Sequence, residues 1–312
     1  MKPLSYGLLC ALLAAAFFGT SGSLAKPLLD GGWSPVAAVT LRALVGAALL
    51  APVALVTVRG RWRVLWQARS RVLLMGVAGV ACTQLAYFAA IQTIPVSTAL
   101  LIEFLAPLIL VAYAWASTRR TPSAPVLLGS ALAVGGLLLV IGPGALRPVD
   151  PLGLAFAFTA ALGCAVYFAV AAQAGDGLPP VALAASGLLV GGVTLALVGA
   201  SGLLTFTVEF GDLDMFGATT PWWVPLLLLA VIGTAVAYAA GITASAALGS
   251  RLASFAGLLE VAFAALFAWV LLGENLGLLQ ILGGALILGG IAAVRSERTD
   301  APVTEPLTET LR

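Results

Sequence analysis

The chain has no histidine, and only 9% of its 312 residues are charged. Without histidine there is no His-based catalytic triad and no His-ligated metal site. The three cysteines, Cys10, Cys82 and Cys164, stand alone inside apolar runs, so no metal-ligand spacing or redox pair exists and they read as small buried hydrophobes. No GxxxxGK[ST] loop occurs, so the chain carries no such nucleotide-binding site of its own. The expectation is therefore no catalytic residues, no metal and no cofactor. A soluble domain carries about 25% charged residues. With 61% hydrophobic residues and a mean hydropathy of +1.10, this chain cannot cover a water-facing surface, and its outside must face a lipid bilayer. The formal net charge of +2 gives no reason to expect a nucleic-acid partner.

What is present is a set of long apolar runs. A helix needs about 20 such residues to cross the hydrocarbon core. Ten runs qualify, at 5–25, 36–58, 72–93, 97–117, 125–143, 151–172, 181–203, 223–247, 252–272 and 277–294. Turn chemistry separates them, as in Asp30-Gly31-Gly32, Gly142-Pro143-Gly144 and Gly177-Leu178-Pro179-Pro180. The first run follows Lys2 closely and reads as an uncleaved first helix.

The spans repeat. Leu73 to Val140 reappears without a gap as Leu227 to Val294: Gly79 falls on Gly233, Trp115 on Trp269, Gly129 on Gly283, and Gly135-Gly136 on Gly289-Gly290. The earlier spans match at a slightly different offset, Gly32-x-x-Pro35-Val36 on Gly177-x-x-Pro180-Val181 and Gly46 on Gly191. An internal repeat governs the whole fold. Each copy holds an odd number of spans, so the second enters the membrane from the opposite side. The expected fold is an all-α integral membrane protein of ten transmembrane helices in two inverted-topology five-helix repeats. The repeats occupy 5–143 and 151–294, with a disordered cytoplasmic tail at 295–312.

Basic residues give the repeats a direction. With both termini cytoplasmic, the inner side holds Lys2, Arg59, Arg61, Arg63, Arg69, Arg71, Arg119, Arg120, Arg251, Arg295, Arg298 and Arg312, against Lys26 and Arg147 outside. The longest outer loop, Leu204 to Trp222, carries Glu209, Asp212 and Asp214 and no base. Residues 59–71, with Trp62 and Trp66, read as a basic segment lying in the interface.

Charge inside a span is costly and therefore functional by default. Glu103 and Glu260 are the two intramembrane acids. Each can load and release a proton or pair with a substrate amine, the alternative being a fixed structural pair. Under the repeat Glu103 falls on Gly257, one helical turn from Glu260. Arg42 can hold an anionic group, pair with a carboxylate or snorkel to the interface, while Lys26 reads as an interface anchor. Gln84, Tyr87, Gln92, Tyr113, Tyr167, Gln173 and Tyr238 are uncharged candidates for a cavity, of which Gln84, Tyr87 and Tyr238 join the charged residues as preferred site candidates. Trp115 and Trp269 fit the aromatic belt. Gly129 and Gly136, Gly283 and Gly290, and Gly187-x-x-x-Gly191 form small-residue faces for close helix packing, within the chain or in a homodimer.

These residues resemble the EamA-type, ten-helix transporters of the drug/metabolite transporter superfamily over nearly the whole chain. The most specific stretch is Ala264-Ala265-Leu266-Phe267-Ala268-Trp269-Val270-Leu271-Leu272-Gly273-Glu274, followed by Gln280-x-x-Gly283 and Gly289-Gly290. Leu24-Ala25-Lys26, Pro35, Leu41-Arg42 and Glu103-Phe104-x-x-Pro107-Leu108 are similar to the bacterial threonine/homoserine exporter branch. The resemblance implies export of a small-molecule substrate, often an amino acid, from a bacterial cell across its inner membrane, with other small amphiphilic compounds or drugs as the alternative. It also implies a role for Glu274 at a helix junction, where it caps the last span. The family commonly has Glu-Pro where this chain has Glu260-Val261, so the ninth span should be less kinked. A membrane-embedded lipid-acting enzyme would need histidines or clustered acids, and only Glu209 to Asp214 offers the latter. A non-transporting scaffold is the remaining rival.

Overall fold

A computed structural model describes residues 3–142, 150–173, 177–273, 275 and 277–296. Ten helices are long and apolar enough to cross a membrane: Leu4–Asp30, Pro35–Val58, Arg69–Ala90, Thr98–Thr118, Ala124–Ile141, Pro151–Ala171, Pro180–Ala200, Trp223–Leu248, Ser250–Leu272 and Leu278–Arg295. They match the runs read from sequence to within a few residues. The first is longer than expected. It continues through Lys26 to Asp30, and these two side chains form an exposed i,i+4 ion pair at 3.2 Å. Residues 297–312, expected to form the tail, and Glu274, expected to cap the last span, lie outside the described residues.

Long apolar side chains on the outer flanks, among them Leu49, Val56, Leu128 and Leu197, are exposed as lipid contact requires. Trp115 and Trp269 are about half exposed, in keeping with the belt reading. The spans alternate in direction. One face collects the Arg59–Arg69 segment and the 119–123 and 249–250 connections. The other collects the 31–34 turn and the long 201–222 connection.

Two interruptions recur in both halves. The third and eighth spans each contain a π-helical stretch, Met75–Cys82 and Val231–Val236. The two overlap under the repeat, and a threonine just after the first and one inside the second bond the carbonyl five residues back: Thr83 Oγ1 donates to Ala78 at 3.0 Å and Thr234 Oγ1 to Leu229 at 3.0 Å. The widened turn rotates the apolar stripe, and π-bulges of this kind concentrate at functional sites. The fourth span breaks at Phe104-Leu105, between Val96–Glu103 and Ala106–Thr118. The ninth breaks at Leu258, between Ser250–Gly257 and Leu259–Leu272.

The ninth-span break forms without a proline. Leu258 and Val261 donate only three residues back, to Phe255 and Leu258, at 3.1 and 3.2 Å. Leu105 and Leu108 do the same towards Ile102 and Leu105. The break occupies one residue in the ninth span and two in the fourth. It also shifts the local correspondence by one position. Pro107 and Glu260 are both the second residue of the helix that restarts, which sequence alignment alone placed one residue apart.

The glycine faces pack on each other within one chain. A Cβ on Gly136 would lie 2.5 Å from the carbonyl oxygen of Gly283, and one on Gly129 would lie 2.7 Å from that of Gly290. The reverse contacts hold too, at 2.5 Å from Gly283 to Gly136 and 2.8 Å from Gly290 to Gly129. Each pair maps onto the other under the repeat, as a two-fold relation demands. This is the close backbone approach that small residues allow, and it uses the faces that a homodimer would otherwise have claimed.

The 201–222 connection is structured. Asp212–Met215 and Ala218–Pro221 form an antiparallel hairpin. Its two-residue turn, Phe216-Gly217, has positive φ at both positions, 56° and 81°, as a type I′ turn requires. Leu213 and Met215 are buried against Leu24, Leu28 and Trp33. The preceding strand-like segment is fastened to the 31–34 turn. Trp33 Nε1 donates to the Glu209 carbonyl at 2.7 Å, and the Ser34 and Thr207 backbones and side chains exchange bonds at 3.1 Å. The long connection therefore lies as a cap over this end of the bundle.

Candidate functional site

A central cavity of about 120 Å³ lies between the halves. One water needs about 10–15 Å³ on this measure, so the cavity has room for several waters or a small solute. Its walls come from the first four spans of one half and from the sixth, eighth and ninth spans of the other. The fifth and tenth spans, locked together by their glycines, stand apart as a frame.

Each charged wall residue is placed by a local feature. Glu103 ends the first segment of the broken fourth span. Glu260 stands in the first turn of the restarted ninth span, where the helix N-terminus favours a negative charge. The first span crosses the ninth here. Gly19 comes so close that a Cβ would sit 3.1 Å from the Glu260 carbonyl oxygen and 2.7 Å from the Phe263 side chain. Arg42 projects from the second span, whose start is set by Ser34 as N-cap, its hydroxyl accepting from the Ala37 N–H at 3.3 Å, and by Pro35 in the first turn.

Arg42, Glu103 and Glu260 all line this cavity and feel one another's charge. None of the three makes a hydrogen bond or an ion pair within 4 Å to another described residue. A carboxylate removed from bulk water and left without a fixed partner is costly, so the arrangement holds two acids and one base ready for something that enters.

Of the six preferred candidates, Glu103, Glu260, Arg42, Gln84 and Tyr238 line the cavity. Tyr87 does not. It packs against Phe88, with ring centroids 5.6 Å apart, and among the apolar side chains around Ala90 and Ile102. Gln92, Tyr113 and Gln173 are exposed. Sequence reasoning passed over Cys164, Thr83, Ser245 and Ser254, which also line it, and the alanine wall of the first span, Ala11, Ala14 and Ala15. Small residues on an all-apolar span carry no periodic signal, so nothing in the sequence marked them.

Tyr167 is placed more tightly. Its ring sits edge-on to Phe168 and Tyr238, with centroids 5.0 and 5.7 Å apart, and Tyr238 meets Phe18 at 5.1 Å. Gly79 and Gly241 make room: a Cβ on Gly241 would lie 2.5 Å from the Tyr167 hydroxyl. That hydroxyl is buried and has no hydrogen-bond partner among the described residues. Tyr167→Phe should therefore leave the melting temperature unchanged or raise it, since an unsatisfied buried hydroxyl costs about 1–3 kcal/mol. A fall of several degrees in a thermal-shift assay would contradict this environment for the ring.

Arg71 was read as one more loop arginine, but it is buried. Its Nε donates to the Val170 carbonyl at 3.0 Å and its terminal nitrogen to that of Ala171 at 3.4 Å. It thereby ties the start of the third span to the last carbonyls of the sixth, where a cation is favoured by the helix dipole.

The fold and cavity together define a multi-pass membrane protein of the solute-transporter class, with polar groups gathered between two similar halves. The EamA-like transporter family matches residues 5–142 and again 151–296. The chain belongs to that family, and is a transporter-family protein rather than an enzyme. Among curated proteins it is similar to the threonine/homoserine exporter RhtA of Escherichia coli strain K12, 30% identical over 301 residues, covering 94% of this chain and 93% of that protein. RhtA of Salmonella typhimurium strain LT2 is also 30% identical, over 304 residues, 95% of this chain and 94% of that protein. A solved crystal structure aligns with a TM-score of 0.72 at 18% identity, over 93% of this chain and 96% of that one, which supports the fold alone.

Proposed function

We propose that the protein exports small zwitterionic metabolites, amino acids foremost, across the cytoplasmic membrane of a bacterial cell by alternating access between two inverted five-helix repeats. The observation that carries this reading is the central cavity with two carboxylates and one guanidinium that lack fixed partners. An amino acid presents the complementary pair, with its carboxylate for Arg42 and its ammonium group for Glu103 or Glu260. The exporters RhtA, similar along nearly the whole chain, support the same substrate class. The carboxylate not engaged by substrate is free to carry a coupling proton.

The arginine-rich face and both termini lie in the cytoplasm on this reading, following the distribution of basic residues. The cavity reaches Ser245, Ala253 and Ser254, near Arg251 at the start of the ninth span, while the hairpin caps the opposite end. This suits an exporter waiting to load from within. Counterflow in proteoliposomes tests the proposal. Vesicles preloaded with unlabelled L-threonine or L-homoserine should accumulate the labelled amino acid above protein-free vesicles. Absence of counterflow for every proteinogenic amino acid would overturn the amino-acid assignment.

A further inference from the structure

A second cavity, of about 560 Å³, lies away from the central one, at the arginine-rich face. It is bounded by the end of the fourth span, the 119–123 connection, the start of the fifth span and the start of the ninth. We propose that it is a binding site for the phosphate headgroup of an anionic phospholipid, and so a lipid clamp between the two repeats. The inference does not rest on the transport reading.

The walls divide into two levels. Towards the water lie two guanidinium groups, Arg120 and Arg251, with the hydroxyl-bearing Thr118, Thr121 and Ser123. Among the described residues, no acid lines the cavity. Two helices begin at it, the fifth span after Ser123 and the ninth after Gly249. Neither has a side-chain cap, so their first N–H groups add positive potential to that of the arginines. Arg120 is brought into place by the turn before it: Arg119 takes a left-handed conformation with φ of 56°, and the Arg120 N–H donates to the Thr118 hydroxyl at 3.4 Å.

Towards the membrane interior the walls turn apolar. Val111, Ala114 and the half-exposed Trp115 continue the cavity up the flank of the fourth span. A phosphate at the level of two arginines with an apolar path leading from it along a lipid-facing helix matches a phospholipid, whose acyl chains need such a path. A free phosphate would gain nothing from it. Basic pockets between membrane helices at a cytoplasmic face are the expected site for anionic headgroups.

The placement gives the site a consequence. Arg120 follows the fourth span and Arg251 opens the ninth, and these two broken spans carry Glu103 and Glu260. A headgroup bridging both arginines ties the broken helices of the two repeats together at one end.

The test uses the full-length protein in detergent micelles, titrated with phosphatidylglycerol, with phosphatidylcholine and with inorganic phosphate, followed by native mass spectrometry and thermal shift. Phosphatidylglycerol should bind at least about 10-fold more tightly than phosphatidylcholine, as the attraction of two arginines for an anionic headgroup implies. Arg120→Gln with Arg251→Gln should abolish that preference. Arg59→Gln with Arg63→Gln, in the other basic segment, should leave it intact. Ala114→Phe, which narrows the apolar wall without touching a charge, should weaken phosphatidylglycerol binding and spare the fold. Retained preference in the Arg120/Arg251 variant would overturn the proposal. So would stabilisation by inorganic phosphate equal to that by lipid, or unchanged lipid binding in Ala114→Phe.

Discussion

Glu260→Gln is expected to lower amino-acid counterflow at least about 10-fold, equivalent to about 1.4 kcal/mol, while leaving the protein as stable as before or more so. Glu103→Gln should behave alike. The two halves of this expectation come from one observation. Both carboxylates are half-buried in the cavity wall, and neither has a hydrogen bond or ion pair within 4 Å to a described residue. A structural carboxylate is held by partners, and removing its charge strands them at a cost of about 3–5 kcal/mol. A carboxylate kept for a visiting solute or proton has nothing to strand, and its neutral isostere relieves the site. Stability gained with activity lost is the signature of a functional group held at a cost to the fold. The opposite pattern, with flux kept and the melting temperature lowered, would make these acids structural. Counterflow and thermal shift on the same preparations separate the cases.

Gly136→Leu is expected to be the most damaging single change outside the cavity. A Cβ there would meet the Gly283 carbonyl oxygen at 2.5 Å and the Ile287 N–H nitrogen at 2.9 Å. Backbone atoms cannot swing aside as a flexible side chain can. The fifth and tenth spans would have to part along the whole seam, because the Gly129–Gly290 contact lies two turns away on the same face. Overpacking typically costs about 1–3 kcal/mol, and here the strain falls on a contact that joins the repeats. The variant should lose its monodisperse gel-filtration peak or melt at least several degrees lower. Gly135→Leu is the control. Nothing lies within 4 Å of the Cβ it would add, so it should be tolerated. Equal tolerance of both would contradict the packing described.

The contrast between Gly135 and Gly136 shows what was legible in the sequence. The repeat alignment marked both glycines, and the seven-residue spacing of Gly136 from Gly129 marked the face, while the fold shows which helix that face meets. Span number and position followed from hydropathy to within a few residues, because a run of apolar residues admits no other use at this length. The interruptions did not follow. A π turn inserts one residue into an apolar helix without a polar marker, and Thr83 and Thr234 look like any other membrane threonine. The ninth-span break forms at Leu258 with no proline to announce it. The hairpin escaped because its turn is Phe216-Gly217, and a phenylalanine at positive φ is not a turn signal.

For the site, charge was a sufficient guide. Arg42, Glu103 and Glu260 stood out because an apolar span has no other reason to hold them, and all three meet at one cavity. Uncharged polar residues were a poor guide. Tyr238 and Gln84 face the cavity, while Tyr113 faces outward with 71% of its surface exposed. A tyrosine suits both a cavity and an interface, and only rotation about the helix axis decides between them.

The most direct test of the central cavity as the path of transport uses Cys164, a native wall residue. Cys10→Ala with Cys82→Ala leaves it as the sole cysteine. Modification of Cys164 by a small methanethiosulfonate reagent, followed by mass spectrometry alongside counterflow, should proceed in the resting protein, fall when the transported amino acid is present, and abolish flux once complete. Full modification with undiminished flux, or modification at a rate indifferent to the transported amino acid, would contradict a substrate path through this cavity.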